Sequence, residues 1–243
     1  MKPMAHAQAR PKSRSSRTLA IDIGGTGLKV MTLDEKGKPL TERGKVATPR
    51  PATPAAVLAA IVALAKAQGE FDRVSVGFPG VVRRGVIVTA PNLDGKWGGF
   101  KLAETLSKKL GKPVRVANDA DVQGFGAIKG DGLELVVTLG TGFGSALFVD
   151  GRLVPNLELA HHEFRRKRTY EENLGIAALK KAGKKKWNQR LAAAIKSLDH
   201  LFNYDHLYIG GGNAKKIKIK LPPNAKTVEN VAGLLGGIAL WRD

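Results

Sequence analysis

Cysteine is absent from this 243-residue chain, which excludes a disulfide framework and any thiolate metal site. Aromatic residues make up only 6%, too few for the interleaved stacking platform of a nucleic-acid binder. No apolar run reaches the ~20 residues of a membrane span, and the N-terminus lacks the apolar core of a signal peptide. These absences predict a cytoplasmic protein with no nucleic acid and no membrane as partner. Acids are also scarce, 21 Asp and Glu against 40 Lys and Arg, for a formal net charge of +19.

That excess is segregated. Residues 1–17 hold five basic side chains and no acid, residues 165–190 ten against Glu171 and Glu172, and residues 215–226 five lysines and no acid. The remainder is close to neutral. Charge gathered in this way suits a polyanion such as a phosphate polymer, an anionic lipid or a nucleic acid, and it equally suits a solvated face. Residues 1–17 read as a disordered basic extension, too short for a helix-turn-helix domain.

Leu19, Ile21 and Ile23 alternate as a strand that brings Asp22 to a cluster of glycines, Gly24, Gly25 and Gly27, with Thr26 among them. A second strand follows over 28–33. Glycines let such a hairpin turn tightly and expose backbone N–H groups that can cradle an anion, although the same sequence also makes an ordinary turn. No Gly-Lys-Ser/Thr follows, so the stretch is not a P-loop. The layout recurs downstream. A strand over 133–139 meets Gly140, Thr141, Gly142 and Gly144, and another strand runs over 145–149. Two such hairpins predict two related halves with one phosphate chain between them.

Between the hairpins, a third strand is expected over 40–48. Thr53 and Pro54 look like an N-cap and first helical residue. A buried strand runs over 74–78, and a hairpin flanks Arg83-Arg84-Gly85. The loop 91–97 mixes Asn92 with Trp97, which suits a sugar or an ordinary capped loop. A short strand over 114–117 delivers Asn118 and Asp119 to a helix start, where Asp119 reads equally as a general base or as a cap. Glu158 and His161 lie three apart and can grip neighbouring hydroxyls. The adjacent His161 and His162 share no helix face and do not form a metal pair. Thr169 caps one helix, residues 187–202 form another, and a strand over 207–209 ends at Gly210, Gly211 and Gly212. Ile217, Ile219 and Leu221 alternate with lysines as a strand with one basic face. Thr227 caps a last helix running to Trp241.

Six motifs, Asp22-Ile-Gly-Gly-Thr-Gly27, Gly77-Phe-Pro-Gly80, Asn118-Asp-Ala-Asp121, Gly140-Thr-Gly-Phe-Gly144, Glu158-Leu-Ala-His161 and Gly210-Gly-Gly-Asn213, stand in the order and spacing of the ROK sugar kinases. The chain resembles that family over residues 18–243, and in particular its polyphosphate-using glucokinase branch. The resemblance implies an α/β chain with the actin-like ATPase (ribonuclease H-like) fold, two domains around a catalytic cleft. Residues 18–117 plus 227–243 would form the smaller domain and 118–226 the larger. It implies phosphoryl transfer from inorganic polyphosphate, ATP or both to the 6-hydroxyl of glucose, with mannose as a further acceptor. The alternatives are a glucokinase that uses ATP alone and, further off, a sugar-binding regulator.

By the same resemblance, Asp119 is the catalytic base, and Asn92, Asn118, Glu158, His161 and Glu171 (rather than Glu172) bind sugar. Gly24, Gly25, Thr26, Gly27, Gly140, Thr141, Gly142, Gly144, Gly210, Gly211 and Gly212 bind phosphate together with Asp22, which also orients Mg2+. The basic residues Arg165, Arg166, Lys167, Arg168, Lys184, Lys185, Lys186, Lys215 and Lys216 form a track for polyphosphate. Either a monomer or a homodimer is compatible with it. Three features depart from the family pattern. A basic run over 164–169 replaces the cysteine-rich zinc motif, Ala160 replaces a glycine, and Asp121 stands where asparagine is frequent.

Overall fold

The computed structural model describes residues 16–228, 234 and 236–242, so the basic extension lies outside it except for Ser16 and Arg17. The first half contains β1 (Thr18–Ile23), β2 (Gly27–Leu33), β3 (Gly44–Ala47), α1 (Pro54–Lys66), β4 (Arg73–Phe78), the small hairpin β5 (Val82–Arg83) and β6 (Val86–Ile87), α2 (Leu102–Leu110), β7 (Val114–Asn118) and α3 (Asp119–Phe125). The second contains β8 (Leu133–Leu139), β9 (Phe143–Val149), β10 (Arg152–Val154), the hairpin β11 (Glu163–Arg165) and β12 (Arg168–Thr169), α4 (Tyr170–Leu174), α5 (Ile176–Phe202), β13 (His206–Gly210) and β14 (Ala225–Thr227).

The two sheets share one plan. The first has the order β3-β2-β1-β4-β7 and the second β10-β9-β8-β13-β14. In each, the first three strands of the half form an antiparallel meander, and the two remaining strands add in parallel. This doubled α/β arrangement is the actin-like ATPase fold.

Alternation along the strands explains the layering. Leu19, Ile21 and Ile23 of β1 pack with Val57, Leu58 and Ile61 of α1 and with Leu102 and Leu106 of α2. Leu135, Val137 and Leu139 of β8 pack with Trp187, Leu191, Ile195 and Leu198 of α5. The opposite faces carry smaller clusters. Ala20 meets Leu234 and Ile238, and Val136 meets Ala146, Phe148 and Tyr208. Into this space comes α3, which packs on strands of both sheets. Gly236 lets the C-terminal segment press against Val122 of that helix, and Gly237 lies against Ala20 and Ser75 of the first sheet. Trp241 ties the segment down, with its Nε1 donating to Ser75 Oγ at 2.9 Å.

Local signals account for many boundaries. Thr53 Oγ1 accepts from Ala56 N with Pro54 at the first helical turn. Thr169 and Glu172 form a reciprocal capping box. Gly183, at φ 74°, breaks α5 just before the helix expected over 187–202.

Several expectations need correction. The third strand is confined to Gly44–Ala47. Ile217, Ile219 and Leu221 form no strand. Asn188 Oδ1 captures Lys218 N at 2.7 Å, and the free edge of β13 is taken by β14, so these three side chains instead pack against the second core. Thr227 ends β14, paired with Ile209, and caps no described helix. The expected last helix falls largely on residues outside the described set, and its end, Gly236–Trp241, is a 3-10 turn. Trp97 is a core residue, 2% exposed, whose Nε1 donates to the Ala52 and Asp94 carbonyls at 3.0 Å each.

Candidate active site

A cleft of about 580 Å³ separates the two sheets. Its lining includes Asp22, Gly24, Gly25 and Thr26 from the first glycine turn and Gly140, Thr141, Gly142 and Gly144 from the second. Asn92, Asn118, Asp119, Glu158, His161, Glu171, Gly211 and Gly212 line it as well. Of the sugar- and phosphate-binding residues expected from sequence, Gly27 and Gly210 lie outside the lining and serve as strand residues, paired with Ala47 and Thr138.

Each turn is closed by its own backbone, Gly24 N on Gly27 O at 3.0 Å and Gly140 N on Gly142 O at 3.1 Å. The amides of Gly25, Thr26, Thr141 and Gly142 meet no protein acceptor among the described residues. Paired free donors on a tight turn make an anion-binding concavity. Gly25 also permits close approach, since a Cβ there would stand 3.2 Å from the Asn92 carbonyl.

The cap and the acid separate at the start of α3. Asn118 is the N-cap, its Oδ1 accepting from Ala120 N at 2.7 Å and from Asp121 N at 3.4 Å. Its Nδ2 donates to Gly80 O and to Glu158 Oε1, both at 3.2 Å, and so joins the loop after β4 to the loop after β10. Asp119 is released from capping duty. One oxygen accepts from Ala120 N at 2.8 Å. It is half-buried, and part of its surface opens on the cleft. Burial, then the Asp22 carboxylate and more weakly Glu158 and Asp121, push its carboxyl up to about 7, against the opposing Ala120 N–H.

The second half supplies Glu158 and Glu171. Ser145 Oγ on β9 donates to Leu157 O and accepts from Leu159 N, which fixes the loop bearing Glu158. Burial raises the Glu158 carboxyl, opposed by His161, whose Nε2 lies 3.9 Å from Oε2. Glu171 Oε2 accepts from Phe143 N at 3.2 Å beside the second turn. Glu172 is occupied by the capping box, so the cleft-facing member of the pair is Glu171.

None of the nine expected track residues lines this cleft. Arg165, Arg166, Lys167 and Arg168 form the β11–β12 hairpin, with Arg166 and Lys167 at positive φ in its turn. Lys184 and Lys185 share a separate groove of about 420 Å³ with Asn188, Gln189, Lys218 and Ile219. Lys186 follows them on α5, and Lys215 and Lys216 sit in a 3-10 turn just beyond Gly212. The cations in the cleft are others, Lys29, Arg43 and Arg50, all from the first half. Lys29 Nζ is 2.7 Å from Asp22 Oδ2, and Arg50 donates to Gly25 O at 2.8 Å while pairing with Asp94. For Lys29 the hairpin itself carries a signal in the sequence. A turn over 24–27 sets Ile23 opposite Leu28 and therefore Asp22 opposite Lys29. Arg43 and Arg50 come from loops and have no comparable signal.

The ROK family model matches residues 18–164. Polyphosphate glucokinase of Mycobacterium leprae is 34% identical over 238 residues, covering 90% of this chain and 73% of the relative. The Mycobacterium tuberculosis protein of the same name is 33% identical, covering 89% and 88%. The crystal structure of inorganic polyphosphate/ATP-glucomannokinase from Arthrobacter sp. strain KM superposes with a TM-score of 0.83 at 35% identity, over 93% of this chain and 100% of that one.

Proposed function

The chain belongs to the ROK family, and from that premise we propose that it is a polyphosphate/ATP-dependent glucokinase, transferring a phosphoryl group to the 6-hydroxyl of glucose. The observation that carries this reading is Asp119, an acid freed from capping and aimed at a cleft between two turns with free amide donors. Mannose is a second acceptor on the same reading, in keeping with the name of the Arthrobacter relative. Residues 18–117 with the C-terminal segment, and residues 118–226, are taken as the two units around the cleft. The packing of Gly237 and Trp241 on the first sheet supports that division.

Phosphoryl transfer passes through a loose transition state, so positioning and charge neutralisation dominate. Asp119 in its ionised form takes the proton of the attacking hydroxyl. Asn118, Asn92, Glu158, His161 and Glu171 grip the remaining hydroxyls. The amides of the two glycine turns hold phosphate oxygens on either side, with Gly211 and Gly212 closing the donor side.

Mg2+ fits the donor set. The Asp22 carboxylate raises the cost of ionising Asp119, and no group of three or more ligating side chains exists among the described residues. That suits an ion bound by one carboxylate, water and substrate phosphates, with Asp22 as the protein ligand. When bound, Mg2+ neutralises charge on the phosphate oxygens.

The test is formation of sugar 6-phosphate by the purified protein with Mg2+, with polyphosphate and ATP compared as donors. Asp119→Asn should lower kcat by about 10²–10⁴ with either donor. Full activity in that variant would remove the base from the mechanism. Activity with ATP alone would leave a conventional glucokinase.

A further inference from the structure

Two of the cations that line the cleft, Lys29 and Arg43, form part of a row which neither charge clustering nor the motifs bring out. In the first sheet, Asp22 pairs with Lys29, and Lys29 pairs with Lys45 of β3. Directly paired residues share a face, so Asp22, Lys29 and Lys45 stand side by side on the face opposite α1 and α2. Arg43 precedes Gly44, the partner of Val30, and two residues before Lys45 it continues the same face beside Met31. Arg43, Met31 and Lys29 all line the cleft.

The charges along this row are unbalanced. Lys29 is matched by Asp22. Arg43 and Lys45 are exposed and meet no acidic partner among the described residues. Two lysines directly opposed across a strand pair also repel each other. Lysine on an edge strand such as β3 deters pairing with another sheet, but that role does not require an arginine lining the cleft.

Resting on the polyphosphate reading above, we infer that the part of a polyphosphate donor beyond the reacting phosphoryl group leaves the cleft along this edge, over Lys29, Arg43 and Lys45. The β11–β12 hairpin is badly placed for that task. It lies between His161 and Glu171 in sequence, on the side assigned to the sugar, whereas the donor extends away from the acceptor. ATP ends in a nucleoside and a short phosphate chain, so it should depend less on the row.

The experiment compares Arg43→Ala/Lys45→Ala with Arg166→Ala/Lys167→Ala, using long-chain polyphosphate and ATP as donors over a salt series. All four side chains are exposed, and thermal melting checks that each variant is folded. The edge pair should raise KM for polyphosphate by about tenfold or more, and raise it for ATP several-fold less. It should also flatten the salt dependence of polyphosphate binding by about two in log–log slope, near one for each phosphate no longer neutralised. The hairpin pair should change polyphosphate KM less than about threefold, the effect of weakened long-range attraction alone. An active wild type whose edge variant keeps its polyphosphate KM and salt slope overturns the inference alone. A wild type that uses ATP but neither binds nor uses polyphosphate overturns the inference together with the donor reading.

Discussion

The two glycine hairpins have the same fold and opposite chemistry. In β1–β2 the pair beside the turn is Asp22 and Lys29; the equivalent pair in β8–β9 is Thr138 and Gly144. The first turn is backed by the guanidinium of Arg50 on Gly25 O, the second by the neutral Asn213, whose Nδ2 donates to Gly140 O at 2.9 Å. Carboxylates replace cations on the second side, with Glu171 at the turn and Glu158 on the adjoining loop. The repeated scaffold thus carries the cleft's lysine and arginine side chains in its first half and Glu158 and Glu171 in its second, with Asp119 on the helix between them.

The largest expected effects come from placing a methyl group in each turn. At Gly24 a Cβ would stand 2.9 Å from Gly27 O, which is backbone and has no room to yield. Gly24→Ala should distort the phosphate cradle and lower kcat by about 100-fold, the scale of an ångström-sized misplacement. At Gly142 a Cβ would strike Glu171 Oε2, the free end of a side chain. Gly142→Ala should displace Glu171 and raise sugar KM about tenfold, with a smaller change in kcat. Steady-state kinetics with each substrate varied separately checks both, and the reverse pattern would break the assignment of donor and acceptor sides.

A smaller effect tests how the halves share Asp119. Its carboxyl is pushed up to about 7, by burial first and then by Asp22 ahead of Glu158. A base must be ionised, so kcat/KM should fall about tenfold per pH unit below that value. In the sugar-free, metal-free protein, carboxyl-carbon NMR should show Asp119 titrating near neutrality. Asp22→Asn should lower that midpoint further than Glu158→Gln does. Equal shifts would mean that both halves load the base alike.

What could be read from sequence follows from what is local. The Gly-Gly-Thr-Gly turns, the alternation of Leu19, Ile21 and Ile23, and the Thr53-Pro54 start are each set by neighbours in the chain, and the two hairpins announce the doubled plan. Asp119 cannot be told from a cap by sequence, because both Asn118 and Asp119 reach Ala120 N, and only the further contact of Asn118 with Asp121 N marks Asn118 as the cap. Trp97 resembles a sugar-binding aromatic because its real partners, such as Ala52 O, come from a distant loop. Ile217, Ile219 and Leu221 have strand alternation, but the edge they would join is already paired with β14. The basic runs are conspicuous because they are contiguous. Lys29, Arg43 and Lys45 are scattered in sequence and become neighbours only through strand register.

The last contrast lies within α3 itself, where two acids two residues apart are both pushed up to about 7. Asp119 opens on the cleft. Asp121 is 1% exposed, with one oxygen unpartnered among the described residues and the other accepting from Asn156 N at 3.4 Å. Asn156 in turn accepts from Val82 N at 3.1 Å, so the contact joins the helix to a loop of the second half and to β5 of the first. Burial dominates the upward displacement from the ordinary 3.8, with Glu158 adding to it. An acid that holds its proton more tightly in the folded state binds more protons folded than unfolded between about pH 4 and 7. Stability is therefore lost as pH rises through that window, by at most about 4 kcal/mol. Asparagine keeps the acceptor for Asn156 and never ionises. Asp121→Asn should leave stability nearly unchanged at pH 4 and raise it by about 2–4 kcal/mol at pH 8, measured by urea unfolding at both pH values. An equal effect at both would show that the contact with Asn156, rather than the buried charge, sets the cost at this position.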